Sequence, residues 1–354
     1  MKKILFYIYS LNKGGAERVL VNLCSKLKES YEVVILTDAR EKKEYVLPDG
    51  VRRICIEEVC GNGNAVLRLQ AIRKICRQEQ ASLVIAFMIS SAIRAVLANL
   101  FTNNKVMAAV RSNPYDEYGS GMKRLTLNLI AYISSGVICQ TDYQKEYFWK
   151  VIRKKTVVIL NPLTEEFTKR NIQRNPDRRI VTVGRLYDYK NHTMLIRAFS
   201  AIAGEFPDTT LYLYGDGPYK ENTRLLIENL NLEARVFLPG DVDDVANCIK
   251  NAALFVLPSD TEGLPNALME AMALEIPCIA TDCPCGGPKT LITEGINGYL
   301  CGVNQIEELA GKMRILLRDN NKAEQIGKNA GKIREYCSID RISKEWREWI
   351  EKNT

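Results

Sequence analysis

The chain has 354 residues, of which 46% are hydrophobic and 26% charged, a composition typical of globular proteins. This length exceeds what one hydrophobic core usually organises, so we expect two domains. No apolar run approaches the roughly 18 residues that a membrane-spanning helix needs. The single histidine, His192, argues against a histidine-based metal site or a Ser-His triad. Eleven scattered cysteines without a CxxC pair predict reduced thiols in a cytoplasmic protein.

The net charge of +7 is unevenly distributed along the chain. Residues 1–162 carry 25 lysines and arginines against 14 acidic residues, whereas the remainder carries 24 against 28. A basic first half can be attracted to nucleic acid or to an anionic membrane surface, although ordinary solvated lysines are the simple alternative. No basic stripe interleaved with aromatic residues is present, so we do not expect nucleic-acid binding.

Short apolar runs alternate with helical segments, which is typical of α/β domains with parallel sheets. The first run follows Lys2 and Lys3 as in a signal peptide, but it lacks a cleavage site and is predicted to be a buried strand. Strands are predicted at residues 4–9, 32–37, 53–57, 83–87, 105–110, 136–139, 180–183, 211–214, 236–238, 254–257 and 278–281. The first helix is predicted to begin at Gly15. Residues 168–179 are predicted to be a linker and residues 338–352 an amphipathic helix.

In doubly wound domains ligands bind at the carboxyl ends of the strands, so the loops there carry the functional candidates. Gly14 and Gly15 follow the first strand, where they can admit a phosphate or an acceptor, or simply form a tight turn. The loop is not GxGxxG, so dinucleotide binding is poorly supported.

Further candidates follow strands in the second half of the chain. Arg185 and Lys190 bracket one loop, where both cations can converge on a diphosphate and stabilise a leaving nucleotide, or remain solvated. Gly215 lies in a turn that either keeps side chains away from a ligand or is only a turn. His192 is predicted to cap or pack at a helix start. The acidic residues at 241–244 are predicted to cap a helix rather than bind a metal.

The most informative stretch places Glu262 and Glu270 seven residues apart. The turn between them opens a helix after a predicted strand, and its residues are Gly263, Leu264, Pro265 and Asn266. A helix N-terminus can bind a phosphate. Glu270, about two turns into the helix, can accept hydrogen bonds from a ribose diol, and Glu262 can reach a sugar or the loop amides. The unit therefore indicates a nucleotide-sugar site, although an acid at a helix start plus a solvated glutamate gives the same spacing.

Taken in order, these motifs resemble those of the family 4 glycosyltransferases over nearly the whole chain. The matching segments are Gly14-Gly15-Ala16-Glu17-Arg18, Asn161-Pro162, Gly184-Arg185-Leu186, Lys190-Asn191, Gly215-Asp216-Gly217-Pro218, residues 237–240, Glu262-Gly263-Leu264-Pro265, Glu270-Ala271-Met272-Ala273 and residues 295–298. The resemblance implies the GT-B fold, an α/β architecture of two Rossmann-like domains facing each other across a cleft. Residues 1–165 would form the acceptor-side domain, residues 166–337 the nucleotide-sugar domain, and residues 338–354 a helix returning to the first domain.

The resemblance also implies a retaining, metal-independent hexosyltransferase that uses a nucleotide-diphospho-sugar and no cofactor. The donor expected from the family is a UDP-hexose or UDP-N-acetylhexosamine, with GDP-sugars as the next alternative. Arg185 and Lys190 would hold the diphosphate, and together with Glu262 they are the catalytic candidates. Glu262 would contact the donor sugar, assisted by residues 263–266, and Glu270 would hold the ribose. Gly15 and Gly215 complete the donor-binding candidates.

On the acceptor side the resemblance leaves the polar catalyst open. Some members of the family place a histidine in a loop of the first domain, but the comparable loop here is Arg111-Ser112-Asn113-Pro114. Gly14, Arg111 and Asn113 are therefore the acceptor-side candidates.

That loop and residues 11–18 are most similar to members that build bacterial capsule, O-antigen or other lipid-linked glycans. A lipid-linked acceptor implies a cytoplasmic protein with peripheral contact to the inner face of the plasma membrane. The alternatives are a nucleotide-sugar epimerase of similar two-domain fold, which the few loop acids and bases disfavour, and a non-catalytic nucleotide-sugar-binding protein.

Overall fold

The computed structural model describes residues 1–61, 63–169 and 174–354, which fall into two compact units. Unit 1 comprises residues 1–162 and 339–354, and unit 2 comprises residues 163–338. Part of the predicted linker, residues 170–173, lies outside the described residues. Within the described ranges, no helix is long and apolar enough to cross a membrane.

The described residues of unit 1 contain a seven-stranded parallel sheet. Its strands are β1 (Lys3–Ile8), β2 (Glu32–Thr37), β3 (Arg52–Cys55), β4 (Leu83–Phe87), β5 (Val106–Ala109), β6 (Gly136–Cys139) and β7 (Thr156–Val158), in the order β3-β2-β1-β4-β5-β6-β7. Its helices are α1 (Gly15–Leu27), α2 (Ile56–Cys60), α3 (Ala65–Glu79), α4 (Ile89–Asn99), α5 (Pro114–Tyr118), α6 (Gly121–Ile133), α7 (Asp142–Glu146), α8 (Lys150–Arg153) and the C-terminal α18 (Ile339–Asn353). The central strands are continuous apolar runs because both faces of the sheet are covered.

The described residues of unit 2 contain a six-stranded parallel sheet. Its strands are β8 (Arg179–Val183), β9 (Thr210–Tyr214), β10 (Val236–Gly240), β11 (Leu254–Leu257), β12 (Cys278–Thr281) and β13 (Tyr299–Cys301), in the order β10-β9-β8-β11-β12-β13. Its helices are α9 (Glu165–Thr168), α10 (His192–Ile202), α11 (Lys220–Asn229), α12 (Val245–Ile249), α13 (Asn266–Ala273), α14 (Gly287–Leu291), α15 (Ile306–Arg318), α16 (Asn320–Ala330) and α17 (Ile333–Tyr336). A 3₁₀ turn at Asp188–Lys190 precedes α10.

One predicted strand needs correction at its end, and two strands were missed. The strand predicted at 53–57 ends at Cys55, because its neighbour β2 ends at Thr37, and the chain continues as α2. Strands β7 and β13 were not predicted, since three residues are too few to produce a recognisable pattern.

The C-terminal helix α18 completes the core of unit 1. Trp346 is fully buried, and its ring stacks on that of Phe87 with centroids 5.7 Å apart. Ile342 and Ile350 occupy the same core, one turn to either side of Trp346. The apolar stripe predicted for the chain's end is thus buried within unit 1.

Candidate functional site

Four loops of unit 2 lie at one edge of its sheet. They follow β8, β9, β11 and β12, which are adjacent strands in the order β9-β8-β11-β12. All pairings among these strands are parallel, so their carboxyl ends meet at the same edge. The predicted donor residues of the second half are on these loops or on the helix that follows β11.

The structure brings Lys190 and Glu262 into direct contact. Lys190 Nζ lies 2.6 Å from Glu262 Oε1, and the two side chains are 19% and 11% exposed. Ser259 Oγ donates a second hydrogen bond, of 2.7 Å, to the same carboxylate oxygen. Glu262 is thereby fixed between an ammonium group and a buried hydroxyl.

A second set of hydrogen bonds joins the loop after β8 to the loop after β11. Asp260 N donates to Tyr189 O at 2.8 Å, and Asn191 Nδ2 donates to Asp260 Oδ1 at 2.6 Å. Asn191 Oδ1 also accepts from Met194 N, which caps α10. Sequence reasoning assigned no role to Asn191 or Ser259. Asn191 directly follows the candidate Lys190, and Ser259 precedes the candidate Glu262 by three residues, so a polar residue close to a candidate loop charge was the available signal.

Arg185 and Gly215 lie on neighbouring loops. The Arg185 side chain is exposed, and its guanidinium carbon lies 5.2 Å from the centroid of the Tyr187 ring. At Gly215 φ is +134°, and an added Cβ would lie 2.1 Å from Gly184 O. Gly215 is therefore required by the close approach of two loop backbones, whatever ligand lies beside them.

The Gly263–Asn266 turn leads into α13, which begins at Asn266, with Pro265 in the capping position. Glu270 is therefore little more than one turn into the helix, not two turns as predicted, because the turn residues before Asn266 are not helical. Glu270 is 6% exposed. An added Cβ on Gly287 would lie 2.1 Å from Gly263 O. The first residue of α14, which follows β12, therefore packs directly against the backbone of the turn.

His192 and Asp244 have the structural roles that were predicted for them. His192 is the first residue of α10 and is 5% exposed. Burial, and after it the charge of Lys190, lowers the pKa of its imidazole to about 4. Asp244 Oδ1 accepts from Asn247 N at 2.9 Å and caps α12.

Gly14 and Gly15 are in unit 1, at the start of α1. The helix begins at Gly15 as predicted, and Gly14 occupies its capping position. An added Cβ on Gly14 would lie 2.2 Å from Glu17 Oε2, so the glycine leaves room for that carboxylate beside the loop. Gly15 is exposed at the same helix end.

Arg111 follows β5 in unit 1 and is 8% exposed. Its guanidinium carbon lies 4.6 Å from the Phe87 ring centroid and 5.2 Å from that of Trp346. Nη1 donates to Asn161 Oδ1 at 3.3 Å, while Nε and Nη2 have no hydrogen-bond partner within the described parts of the chain. Burial lowers the pKa of Arg111 to about 9.

Asn113, the other acceptor-side candidate of this loop, is 5% exposed. Its Oδ1 accepts from Tyr115 N at 3.1 Å and caps α5. The side-chain oxygen is therefore used in holding the loop conformation.

Two doubly wound parallel sheets, with the candidate loops at the carboxyl ends of the strands, are the architecture of the GT-B fold. HepE from Anabaena, crystallised in complex with UDP, superposes with a TM-score of 0.84 at 20% identity, covering 99% of this chain and 100% of that one. This likeness shows the fold.

The chain belongs to the family 4 glycosyltransferases. Residues 13–167 match the model "Glycosyltransferase Family 4" and residues 164–333 match "Glycosyl transferases group 1". An uncharacterized glycosyltransferase of Haemophilus influenzae is 25% identical, over 98% of this chain and 99% of that protein. An alpha-1,4-N-acetyl-D-galactosaminyltransferase of Campylobacter jejuni is 24% identical, over 98% and 97%, and its name gives the acceptor as GalNAc-alpha-(1->4)-GalNAc-alpha-(1->3)-diNAcBac-PP-undecaprenol. The chain is an enzyme of the glycosyltransferase type.

Proposed function

We propose that this protein is a retaining, metal-independent hexosyltransferase that moves a hexose or N-acetylhexosamine from a UDP-sugar to a lipid-linked glycan. The product would be a bacterial surface polysaccharide or a related glycan, and no cofactor would be required. The observation that carries the proposal is the Lys190–Glu262 pair, placed with Arg185 at the ligand edge of the unit 2 sheet. The named acceptor of the Campylobacter relative supports a lipid-linked acceptor, and the UDP complex of HepE supports a UDP-linked donor.

The donor is proposed to bind along the loops of unit 2. Arg185 and Lys190 take the diphosphate, because a forked guanidinium and an ammonium group match its charge and its oxygens. The Gly263–Asn266 turn presents the positive end of α13 to the same group. Glu270 accepts the ribose hydroxyl groups, and the compact backbone at Gly215 leaves space for the ligand.

Transfer is proposed to proceed on one face of the sugar. As the bond from the anomeric carbon to the diphosphate breaks, the two cations stabilise the negative charge that develops on the leaving oxygen. That phosphate oxygen takes the proton of the attacking acceptor hydroxyl, and Glu262 orients the sugar. UDP-N-acetylgalactosamine carries its nucleotide in the α configuration. A relative named for an alpha linkage therefore supports retention.

The decisive experiment is transfer by the purified full-length protein. UDP-hexoses and UDP-N-acetylhexosamines are first ranked by thermal shift, and the best is then assayed with undecaprenyl-diphosphate-linked glycans. We expect transfer that persists in excess EDTA and gives an α linkage by NMR. A β product contradicts retention, and loss of activity with EDTA that returns with Mg²⁺ contradicts metal independence.

The same assay separates the alternative functions. Conversion of the UDP-sugar to its epimer without an acceptor would identify an epimerase. Tight binding of UDP-sugars without turnover over the whole acceptor panel would identify a binding protein.

The proposed role of Glu270 has its own test. We expect Glu270→Gln to bind UDP more weakly than the parent does. The loss should be smaller for 2′-deoxy-UDP, which lacks one of the two ribose hydroxyl groups. Equal losses for both nucleotides would assign Glu270 a structural role. Glu228→Gln, on the exposed surface of α11, is the matched control.

A further inference from the structure

Helix α6 of unit 1 presents a second apolar face to solvent. Its inner face is buried through Leu127, Ile130 and Ala131. On the opposite side, at the spacing of one helix face, four large side chains are 42% to 75% exposed: Met122, Leu125, Leu129 and Tyr132. A helix that is apolar on both sides needs a covering partner on the outer one.

A cluster of cations lies beside this apolar stripe. Helix α8 packs against α6, and Trp149 N, directly before α8, donates to Asn128 Oδ1 at 2.9 Å. Residues 149–155 contain four basic residues and no acidic one: Lys150, Arg153, Lys154 and Lys155. Lys155 Nζ lies 5.6 Å from the Tyr132 ring, so the basic segment borders the stripe directly.

Helix α6 itself adds positive charge only. It contains Lys123 and Arg124, both exposed, and residues 118–141 contain no aspartate or glutamate. The side chains of Trp149 and Val151 on the adjoining segment are also exposed, by 39% and 50%. The surface therefore combines apolar, aromatic and cationic groups without a counter-charge in its own sequence.

We propose that the outer face of α6 together with residues 149–155, named here the α6–α8 surface, docks on an anionic lipid bilayer. The apolar stripe enters the boundary between headgroups and acyl chains, Tyr132 and Trp149 lie at headgroup level, and the exposed Lys150 and Lys154 contact lipid phosphates. Lys155 instead donates to Tyr132 O and Ser134 O, which holds the basic segment against α6. This inference rests on the proposed function in one respect: docking would bring the enzyme to a lipid-linked acceptor.

The charge distribution favours a bilayer over a second copy of the chain. In a two-fold symmetric dimer the same patch meets itself, so the cations around the stripe would be brought close to one another. An anionic bilayer supplies both the apolar medium and the opposite charge.

Vesicle flotation of the full-length protein tests the proposal. The probes are vesicles of phosphatidylcholine with about 30% phosphatidylglycerol and vesicles of phosphatidylcholine alone. We expect the parent to bind the anionic vesicles at low salt. Met122→Glu/Leu129→Glu and Lys150→Glu/Lys154→Glu should each weaken binding at least tenfold. Two matched controls in unit 2, Leu225→Glu/Ile296→Glu and Lys322→Glu/Lys332→Glu, change exposed residues of the same kinds and should stay within twofold of the parent.

Three outcomes overturn the proposal. The first is a parent that fails to bind anionic vesicles, and the second is equal weakening by the control variants. The third is a lipid-free parent dimer that becomes monomeric on Met122→Glu/Leu129→Glu, which would make this face a subunit interface. UDP binding and transfer to a water-soluble acceptor analogue are measured on the same variants. A parent protein that binds anionic vesicles but shows no transfer would refute the proposed function without contradicting the docking surface.

Discussion

Lys190 Nζ and Glu262 Oε1 are 2.6 Å apart, which joins the loop after β8 to the loop after β11 across 72 residues of sequence. The residue proposed to hold the diphosphate thus contacts the residue proposed to face the sugar. A diphosphate that binds Lys190 competes with this carboxylate. Donor binding and the orientation of Glu262 are therefore expected to be coupled.

Glu262→Gln tests this coupling. Glutamine keeps the size of the side chain and removes its charge, so Lys190 becomes fully available to a phosphate. We expect UDP to bind about fivefold more tightly, which corresponds to about 1 kcal/mol, and transfer to fall by about 100-fold. Calorimetry and kcat/KM measure the two effects. The exposed pair on α11 offers the control Glu221→Gln, and a parent-like rate in Glu262→Gln would exclude Glu262 from the reaction.

Arg185→Ala and Lys190→Ala are each expected to weaken UDP binding by about 10- to 100-fold, the effect of about 1.5–3 kcal/mol of charged hydrogen bonding. Uridine, which has no phosphate, should lose little affinity in either variant. Arg197→Ala on the exposed side of α10 is the control. Equal losses for uridine and UDP would show that the cations do not act on the diphosphate.

Gly287→Ala is expected to destabilise the donor loops. The new methyl group would overlap the backbone oxygen of Gly263, and neither loop can move without disturbing the turn before α13. We expect a loss of about 1–3 kcal/mol in unfolding free energy together with weaker UDP binding. Gly311→Ala is the matched control, because it lies within α15 with open space around it, and we expect it to be neutral or stabilising. A parent-like Gly287→Ala would refute the close approach.

His192 predicts a specific loss of stability in mild acid. Its folded pKa of about 4 is below the ordinary value of 6.5, so the unfolded chain binds the proton more readily. Above pH 6.5 the imidazole is neutral in both states and its titration costs no stability. As the pH falls from 6.5 towards 4 the unfolding free energy decreases, and the loss reaches about 2 kcal/mol at about pH 5. Urea unfolding of the parent and of His192→Gln at about pH 5 and pH 7.5 measures it. An equal pH dependence in both proteins would contradict the prediction.

Arg111→Met separates stability from function in unit 1. Among the described residues, the buried guanidinium has one hydrogen bond and two nitrogens without a partner, so an apolar side chain of similar length is expected to keep or raise the melting temperature. If Arg111 serves the acceptor, the KM for the acceptor rises while UDP binding is unchanged. Arg94→Met is the contrasting control, because Arg94 is bonded to the buried Asp38 and its loss should be destabilising. Parent-like kinetics in Arg111→Met would remove Arg111 from the acceptor-side candidates.

Much of the fold was predictable because its signals are local. The core strands are buried on both faces and therefore read as short apolar runs, as in β1 and β4. Glycine turns and charged loops follow these strands, so the candidate ligand residues could be assigned to strand ends without knowledge of the strand order. Strands β7 and β13 were missed because three residues are too few to carry such a local signal.

The sequence by itself determined the class of fold, the loops that carry the candidate residues and the resemblance to family 4 glycosyltransferases. Only the tertiary structure decided which candidates meet. Lys190 contacts Glu262 because β8 and β11 are neighbours in the sheet, and Arg111 is buried because α18 returns to unit 1. The exposed apolar face of α6 likewise depends on which side of that helix the core covers. These relationships come from strand order and packing between distant segments, which local periodicity does not encode.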